Sequence, residues 1–305
     1  MNTPGGTRFP LISIVTLNYD QAATTIAFLE SCKKLHYPNY EILVCDMASR
    51  ENPAGKIDPG SYPNTRLLMC TRNLGFAAGN NWGIRQSNGE YIFIVNNDTV
   101  LTPGILDSLI SPFLSNALIG AVSPKIRYYD SPDVIQYAGF RPMNPYTGRT
   151  SSIGDLEPDR GQYDQSGITE CAHGCAMMIR KSIIEKTGMF PEKFFLYYEE
   201  WDWSARIKKA GFLIWYQAQA TIYHKESITV GRENNLKAYY HTRNRILYMR
   251  RNSDLFHLAI FTVFFTFFSF PKAVFTYVRK GQFSQLKWFL KGIGYNLVHT
   301  GRSEN

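Results

Sequence analysis

Residues 11–17, Leu-Ile-Ser-Ile-Val-Thr-Leu, form a run dominated by apolar and β-branched side chains. Such a run predicts a strand that is buried on both faces, as strands are in a parallel sheet. Residues 20–35 have helical spacing, and further strands are predicted at residues 41–46, 66–70 and 91–95, with a helix at residues 76–87. Strands that alternate with helices predict an α/β fold with a mostly parallel, doubly wound sheet.

Polar side chains follow the predicted strands at the points where the strands end. Ligands of doubly wound sheets bind at the carboxyl ends of the strands. The residues at or just after these ends are Asn18, Asp46, Asn73 and Asp98. The sequence therefore predicts a ligand site at this edge of the sheet.

Asn96-Asn97-Asp98-Thr99 directly follows the predicted strand at residues 91–95. A carboxylate just past a buried strand is well placed to hold Mg²⁺ or Mn²⁺, because these ions prefer oxygen ligands and share them with substrate phosphates. Asn and Asp are also common in plain turns. The segment alone leaves both interpretations open.

A second motif, residues 72–82, places two glycines and three asparagines at a predicted strand-to-helix junction. Backbone N–H groups at such a junction suit a diphosphate or a nucleoside. The spacing is neither the G-x-G-x-x-G fingerprint nor a P-loop, because no Gly-Lys-Ser/Thr follows. Taken alone, the motif favours a glycine-rich turn without a ligand.

Residues 195–203, Phe-Leu-Tyr-Tyr-Glu-Glu-Trp-Asp-Trp, hold three carboxylates among aromatic side chains. Aromatic surroundings raise the pKa of a carboxyl group toward the range of a general base. Asp202 and Arg206 are four residues apart, so a plain helix-surface pair is an equal alternative for Asp202. His224 ends a strand-like run at residues 220–223, but a lone histidine needs independent support as a ligand.

The composition fits one large α/β domain with an appendage, since the chain has 305 residues and is 44% hydrophobic. The net charge of +8 suits nucleic acid, an anionic membrane or phosphate-bearing substrates. Five cysteines, an odd number, argue against a disulfide framework and favour a reducing cytosol. The first ten residues lack the features of a secretory signal. Cys171, His173 and Cys175 are predicted to be buried residues rather than zinc ligands, because no second cysteine pair accompanies them.

The composition changes after about residue 235, which divides the chain into residues 1–234 and a helical, basic and apolar region at residues 235–305. The apolar run at residues 255–270 gives a helix of about 24 Å, short of the roughly 30 Å hydrocarbon core of a bilayer. Pro271 and Lys272 are expected to break it. Basic residues on both flanks then predict a helix or hairpin on an anionic membrane surface. The alternatives are a helix packed on the rest of the chain, a dimer interface that would make a homo-oligomer, and a spanning helix.

In this order and spacing, the motifs resemble those of the family 2 glycosyltransferases, which have a GT-A fold, and among them a rhamnosyltransferase-like bacterial branch. The resemblance covers roughly residues 11–250. It rests on residues 15–19 (VTLNY), 44–49 (VCDMAS), 73–80 (NLGFAAGN), 95–99 (VNNDT), 174–180 (GCAMMIR) and 194–202 (FFLYYEEWD), with Arg206, Gly211 and His224.

The resemblance implies a role for each candidate residue. Those implied to bind a nucleotide-diphosphate sugar donor are Thr16, Asn18, Asp46, Asn73, Gly75, Asn80 and Asn96. Asp98 would hold a divalent metal, Mn²⁺ or Mg²⁺, and His224 would bind the metal or the diphosphate. Asn96 stands where the fullest form of the family motif has an acid, so it is the weaker candidate for a ligand. Glu199 and Glu200 fall on the family's acid pair, whose second member, here Glu200, is the general base.

The implied activity is an inverting, metal-dependent transfer of a sugar, with rhamnose as one candidate. The acceptor would be a glycan or a lipid-linked sugar, used in cell-surface polysaccharide synthesis at the cytoplasmic face of the membrane.

Two other functions are disfavoured by the sequence. A nucleotidyltransferase would need basic residues after the first strand to hold a triphosphate, and residues 17–26 contain none. A nucleic-acid-binding protein would carry its basic residues on an aromatic sheet face, whereas here they cluster around the apolar C-terminal run. We therefore expect no nucleic-acid partner.

Overall fold

The computed structural model describes residues 9–225 and 235–299. Its strands are β1 (Ile12–Asn18), β2 (Tyr40–Asp46), β3 (Thr65–Met69), β4 (Tyr91–Val95), β5 (Thr99–Leu101), β6 (Ile119–Tyr128), β7 (Ile135–Tyr137), β8 (Gly167–Ile168), β9 (Ala176–Arg180) and β10 (Leu213–His224). Its helices are α1 (Ala22–Cys32), α2 (Gly75–Gln86), α3 (Ile105–Ser115), α4 (Lys181–Thr187), α5 (Glu199–Lys209), α6 (Asn235–Asn252), α7 (Leu255–Phe264), α8 (Phe270–Arg279) and α9 (Phe283–Val298). The elements predicted up to residue 95 are present, with small shifts at their ends.

The strands form one sheet whose main order is β3-β2-β1-β4-β9-β6-β10-β5. The first four strands in this order are parallel, as the sequence predicted. β9 is antiparallel to both of its neighbours, β4 and β6, so the sheet as a whole is mixed. The chain enters β9 at Ala176, opposite Val95 at the carboxyl end of β4. A strand that starts at this edge has to run back through the sheet.

The central strands β1 and β4 are buried on both faces, which explains their continuous apolar sequence. Successive side chains of a strand point to opposite faces. Accordingly, Ile14 and Phe93 belong to the apolar cluster on one face, and Val15 and Ile94 belong to the cluster on the other. The polar residues that follow these strands therefore collect at one edge of a rigid core.

A long excursion of the chain, residues 124–170, begins inside the sheet as the second half of β6. Lys125 is only 1% exposed, and its ammonium group pairs with Asp159 at 3.1 Å and with Asp164. Arg127 pairs with the same Asp159 carboxylate. A buried ammonium group is tolerated only with such partners. These ion pairs hold the excursion against β6.

The apolar C-terminal helix is longer than the sequence predicted. α7, a π-helical turn (Phe265–Ser269) and α8 form one helix of 25 residues, Leu255–Arg279. The expected break at Pro271 and Lys272 is therefore wrong. Pro271 lies in the first turn of α8, directly after the π-helical turn, where a missing N–H group and a bulky ring are accommodated. At 1.5 Å per residue the helix measures about 37 Å, so the length argument against a spanning helix also fails.

One side of this helix packs on the rest of the protein, and the opposite side is open. Phe261 and Phe265 are buried in a cluster with Tyr248 of α6 and Phe289 of α9. The exposed apolar side chains on the other side are Phe256, Val263, Phe267, Phe268, Phe275 and Val278. We call this set the phenylalanine face.

Candidate active site

A chain of hydrogen bonds connects the ends of β1, β2 and β4. The Asn18 side-chain amide donates to Asp46 Oδ1 at 2.7 Å. The Thr25 hydroxyl donates to Asn18 Oδ1 at 2.8 Å, and the Asn97 amide donates to the Thr25 hydroxyl at 2.8 Å. These hydrogen bonds link two of the residues predicted to bind the sugar donor, Asn18 and Asp46, to the segment that carries the predicted metal ligand.

Asp46 itself is completely buried. Ser49 covers it, because the Ser49 backbone N–H donates to Asp46 Oδ2 at 3.0 Å and the Ser49 hydroxyl donates to Oδ1. A cavity of about 880 Å³ lies beside Asn18 and Ser49 and is also lined by Asp20 and Arg50. Asn18 and Ser49 therefore face the cavity, and Asp46 holds them in place. Ser49 lies within the motif at residues 44–49, but its role was not predicted.

Two further predicted contacts with the sugar donor remain predictions. Thr16, like Asn18, is completely buried at β1, and its predicted contact with the donor is not tested by the structure. Asn96 is half-buried, and its backbone is fixed on both sides. Its N–H donates to the Cys175 carbonyl at 2.9 Å, and its carbonyl accepts from the Thr99 hydroxyl at 2.8 Å. Asn96 thus shapes the turn that presents Asp98, and its role as a ligand stays a prediction.

Asp98 and His224 come together as the sequence resemblance implied. The end of β10 lies beside β5, which places His224 Nε2 at 3.2 Å from Asp98 Oδ1. The distance fits an ion pair, but neither atom has a hydrogen-bond partner of good geometry within the described chain. The contact is not a hydrogen bond, because the angles between the two groups do not support one. The two buried atoms instead face the same position between them.

A divalent cation fits this pair. Two neighbouring ligands of an octahedral ion at about 2.1 Å lie about 3 Å from each other, which is close to the observed separation. The other ring nitrogen, His224 Nδ1, lies 2.8 Å from Gln136 Oε1 and can donate its proton there. This arrangement leaves the lone pair of Nε2 for a metal. Among the described residues no group of three His, Cys, Asp or Glu side chains meets at one point, so the remaining ligands would come from substrate or water.

The glycine-rich segment at the start of α2 has a structural role that the sequence did not reveal. Gly75 has a φ of +76°, and a Cβ atom added there would lie 2.4 Å from the Phe195 ring. The N–H groups of Phe76 and Ala77 donate to the Phe195 carbonyl at 2.8 and 3.3 Å. These N–H groups are therefore not open to a diphosphate, which corrects the prediction made from the motif. Gly75 is required because Phe195 rests on it.

The two asparagines of the same segment also bond locally. Asn73 accepts a hydrogen bond from the Gly75 N–H at 2.8 Å, and the Asn80 amide donates to the Phe76 carbonyl at 2.9 Å. The predicted contacts of Asn73 and Asn80 with a donor remain predictions.

The residues that precede Glu199 have an unusual backbone. Phe195, Tyr197 and Tyr198 all have φ between +62° and +72°, a region that is unfavourable for bulky side chains. Strain of this kind persists only where the surroundings enforce it, and it is typical of functional sites. We call residues 193–198 the acid loop, because it leads directly into the two glutamates.

Asn244 of α6 enforces this conformation. Its side-chain amide is completely buried and lies within 2.9 Å of three carbonyl oxygens of the acid loop, those of Phe194, Leu196 and Tyr197. The neighbouring Arg243 guanidinium also donates to the carbonyl of Phe194 at 2.7 Å. The sequence offered no signal for this clamp, because its two halves are about fifty residues apart.

Glu199 and Glu200 are the two carboxylates that the acid loop presents. Each has a buried Oε2 atom without a hydrogen-bond partner in the described chain. Burial raises the pKa of Glu200 to about 7, against partial lowering by backbone N–H groups. Burial, together with the negative charge of Glu200, raises the pKa of Glu199 well above its usual value. Both shifts favour the protonated forms, and Glu200, with a pKa of about 7, can ionise near neutral pH.

Glu200 also lies near the metal-ligand candidate. Its side chain is 3.8 Å from the position of a Cβ atom on Gly174. The next residue, Cys175, accepts the hydrogen bond from Asn96, two residues before Asp98. The acid pair and the Asp98–His224 pair therefore border the same end of β9.

Asp202 is not the helix-surface group that its spacing from Arg206 suggested. It is 1% exposed, and its Oδ1 pairs with Arg206 Nε at 3.1 Å. Its Oδ2 accepts from Arg251 Nε at 2.8 Å and from the Asn252 amide at 3.1 Å. Both oxygens are thus used in a buried network that joins α5 to the end of α6, which leaves Asp202 a structural role.

The cysteine and histidine cluster at the start of β9 is buried, as predicted. All five cysteines of the chain lie in the described residues as free thiols. His173 packs between Tyr137 and Phe140, and its Nδ1 accepts a hydrogen bond from the Cys175 N–H at 3.0 Å. Burial, with a smaller effect of His224, lowers the pKa of His173 to about 3, so its ring is neutral.

The fold resembles solved glycosyltransferase structures. A mannosyltransferase from Pyrobaculum calidifontis, PcManGT, solved with GDP-Man and Mn²⁺, superposes with a TM-score of 0.58 at 15% identity and covers 95% of this chain and 88% of its own. S. aureus TarS 1–349, solved with UDP-GlcNAc, gives a TM-score of 0.59 at 15% identity, over 93% of this chain and 79% of its own. These similarities show that the fold is GT-A.

A sequence relative points in the same direction. The N-acetylglucosaminyl-diphospho-decaprenol L-rhamnosyltransferase of Mycobacterium tuberculosis is 24% identical over 244 residues, which are 73% of this chain and 78% of the relative. The family model for glycosyl transferase family 2 matches residues 13–187, more than half of the chain. The chain therefore belongs to glycosyl transferase family 2.

Proposed function

We propose that this protein is an inverting glycosyltransferase that uses a nucleotide-diphosphate sugar and a divalent metal, Mn²⁺ or Mg²⁺. The observation that carries the proposal is the Asp98–His224 pair, whose facing atoms lie 3.2 Å apart, at the same end of β9 as Glu199 and Glu200. The mycobacterial relative is named as an L-rhamnosyltransferase, which supports rhamnose as a candidate sugar. The mannosyltransferase structure with GDP-Man and Mn²⁺ supports a nucleotide donor together with a metal.

The residues of this chain would act as follows. Asn18 and Ser49 bind the nucleoside part of the donor, and Asp98 and His224 hold the metal. A metal held by these two residues would offset the negative charge that develops on the leaving nucleoside diphosphate. Glu200 takes the proton from the acceptor hydroxyl as this oxygen attacks the anomeric carbon. Because the attack is a single in-line displacement, the configuration at that carbon inverts.

We also propose that the acceptor is a glycan or a sugar linked to a lipid, reached at the cytoplasmic surface of a membrane. The M. tuberculosis relative acts, by its name, on a decaprenol-linked sugar. The phenylalanine face would give this chain access to such an acceptor. In this view residues 1–234 form the catalytic domain, and residues 235–305 bind the membrane.

A screen of the purified protein against nucleotide-diphosphate sugars tests the assignment. With Mn²⁺ and a lipid-linked sugar acceptor, we expect one donor class to release its nucleoside diphosphate and to add one sugar to the acceptor. The anomeric configuration of the product, read by NMR, should be inverted. Conversion of a sugar phosphate and a nucleoside triphosphate into a nucleotide sugar would contradict the proposal, because that reaction belongs to a nucleotidyltransferase.

The phenylalanine face is expected to bind anionic membranes in the plane of the surface. The helix packs by its other side on α6, which carries Arg243, Arg245, Arg250 and Arg251. A crossing helix would draw these residues toward the bilayer, where each charge costs about 3 kcal/mol at the centre of the membrane. Full-length protein should pellet with vesicles containing anionic lipid, and the double variant Phe267→Glu/Phe275→Glu should remain in the supernatant.

The variant Leu114→Glu provides the matched control, because Leu114 is 68% exposed on α3, outside the phenylalanine face. It should pellet like the wild type. Wild-type protein that stays in the supernatant and sediments as a dimer would contradict membrane binding and support the dimer interface instead. Wild-type protein that resists extraction from cell membranes by carbonate at high pH would show that the helix crosses the bilayer.

A further inference from the structure

A second cavity lies beside α6, next to the acid loop. Its volume is about 500 Å³, and it is enclosed by α6, the π-helical turn, α8, the start of α9 and Arg149. The site described above does not use this cavity. We call it the basic pocket.

The basic pocket is lined by cationic side chains. These are Arg149, Lys237, Lys272 and Lys280; the pocket is also lined by His241, and none of the described lining residues is Asp or Glu. None of the ion pairs found within residues 9–225 and 235–299 involves Arg149, Lys237, Lys272 or Lys280. Four cations that have no ion-pair partner among the described residues surround one cavity, and together they create a positive potential that favours a multivalent anion.

A buried hydroxyl group gives an independent indication of a ligand. Ser269 lies in the π-helical turn, is 8% exposed and lines the pocket. Its Oγ has no hydrogen-bond partner among the described residues. A buried polar group without a partner is costly. The Oγ of Ser269 exposes less than 1 Å² in this structure, so an anion oxygen in the pocket would satisfy it once the side chain turns toward the cavity.

The position of the pocket links the acid loop to the membrane-facing helix. On one wall, His241 stacks on Tyr197 with ring centroids 4.2 Å apart, two residues before Glu199. On another wall, residues 269, 272, 273, 276, 277 and 280 follow the spacing of a single helix face. The phenylalanine face lies on the opposite side of the same helix. A ligand in the pocket would therefore lie between the bilayer surface and the proposed general base.

We propose that the basic pocket binds the diphosphate of an isoprenoid-diphosphate-linked acceptor. This inference rests on the proposed glycosyltransferase function and names its acceptor class. An isoprenoid chain would enter the bilayer beside the phenylalanine face, and the diphosphate would contact Lys237, Lys272 and Lys280. The attached sugar would then extend past His241 toward Glu200. The donor diphosphate would lie separately, at Asp98.

Direct binding of farnesyl diphosphate tests the proposal without requiring a known donor. By calorimetry, wild-type protein in EDTA should bind farnesyl diphosphate, because the pocket supplies cations rather than carboxylates and needs no metal. The variant Lys237→Gln/Lys280→Gln should bind it about a hundredfold more weakly, since it loses two charge-assisted hydrogen bonds and each loss weakens binding by about tenfold. The matched control Lys287→Gln removes an exposed cation of α9 outside the pocket and should bind like the wild type.

Further probes distinguish an isoprenoid diphosphate from free pyrophosphate and from lipid headgroups as the ligand of the pocket. Farnesol should not bind in the pocket, and inorganic pyrophosphate should bind more weakly than farnesyl diphosphate. Pyrophosphate that binds equally well would overturn the assignment to an isoprenoid-linked acceptor. A double variant that keeps farnesyl diphosphate binding but no longer pellets with anionic vesicles would also overturn it, and would assign the lysines to lipid headgroups.

Failure of the proposed glycosyltransferase function can be distinguished from failure of the pocket assignment. Binding of UDP, GDP and dTDP with Mn²⁺ should be unchanged in Lys237→Gln/Lys280→Gln, because these probes report the Asp98 site. If the wild type turns over nucleotide sugars but the double variant Lys237→Gln/Lys280→Gln binds farnesyl diphosphate like the wild type, only the pocket assignment is wrong. If the double variant loses farnesyl diphosphate but the wild type turns over no nucleotide sugar, the glycosyltransferase assignment fails, and with it the acceptor role of the pocket.

Discussion

Replacing Asp98 with alanine is expected to lower sugar transfer by about 10³-fold or more while the protein stays folded. Asp98 Oδ1 faces His224 Nε2 at 3.2 Å, and neither atom has a hydrogen-bond partner of good geometry among the described residues. Loss of this carboxylate would remove an anionic ligand of the proposed metal, whose stabilisation of developing charge is worth several kcal/mol, or about tenfold in rate for each 1.4 kcal/mol. Initial rates at saturating donor and Mn²⁺ measure the loss.

Binding of Mn²⁺, followed by electron paramagnetic resonance in the presence of a nucleoside diphosphate, should be lost in the same variant. Asp130→Ala is the matched control, because Asp130 is an exposed carboxylate beyond the end of β6. It should keep both activity and Mn²⁺ binding. Wild-type activity in the Asp98 variant, or full wild-type activity in excess EDTA, would show that no metal is held here.

Replacing Glu200 with glutamine should lower the rate of transfer by about 10²–10⁴-fold, the usual contribution of a general base. The substitution keeps the shape of the side chain and removes its negative charge. Donor binding should survive, because the donor residues lie at the ends of β1 and β2. Single-turnover kinetics with a bound donor separate the two effects.

The pH profile supplies a second measurement of the same residue. Burial raises the pKa of Glu200 to about 7, and a base must be ionised to accept a proton. The wild-type rate should therefore fall as the pH is lowered through about 7, and this acidic limb should be missing in Glu200→Gln. Because the two glutamates are close, the measured value belongs to the pair.

Glu199→Gln is the control for Glu200→Gln. Burial and the charge of Glu200 raise the pKa of Glu199 and favour its neutral form, which glutamine imitates, so this variant should lose little activity. A large loss in Glu199→Gln together with near-normal activity in Glu200→Gln would mean that Glu199 is the base.

The sequence predicted the features that depend on short segments. Continuous apolar runs predicted the buried strands β1 and β4. Asp98 was then identified as a candidate ligand because it lies just beyond the end of β4. The pairing of Asp98 with His224 could not be derived from spacing, because the two residues are 126 positions apart and meet only when β10 pairs with β5. It was implied by the family resemblance alone.

Features that depend on contacts between distant segments were missed. The direction of β9 depends on the edge of the sheet to which residues 129–175 bring the chain, and no local sequence pattern encodes that edge. The unbroken helix through Pro271 required a π-helical turn, for which the apolar sequence gave no sign. Gly75 was assigned to a ligand because its real partner, the Phe195 ring, lies 120 positions away.

The clamp formed by Asn244 also affects how the C-terminal region can be studied. The change in composition near residue 235 invites deletion of everything beyond it as a removable anchor. Such a deletion would also withdraw the amide that holds the carbonyls of Phe194, Leu196 and Tyr197. An inactive truncated enzyme would then say nothing about attachment, since the left-handed tyrosines before Glu199 would be free to relax. The proposed anchorage and the proposed chemistry both depend on α6, and only substitutions on the outer side of the apolar helix can separate them.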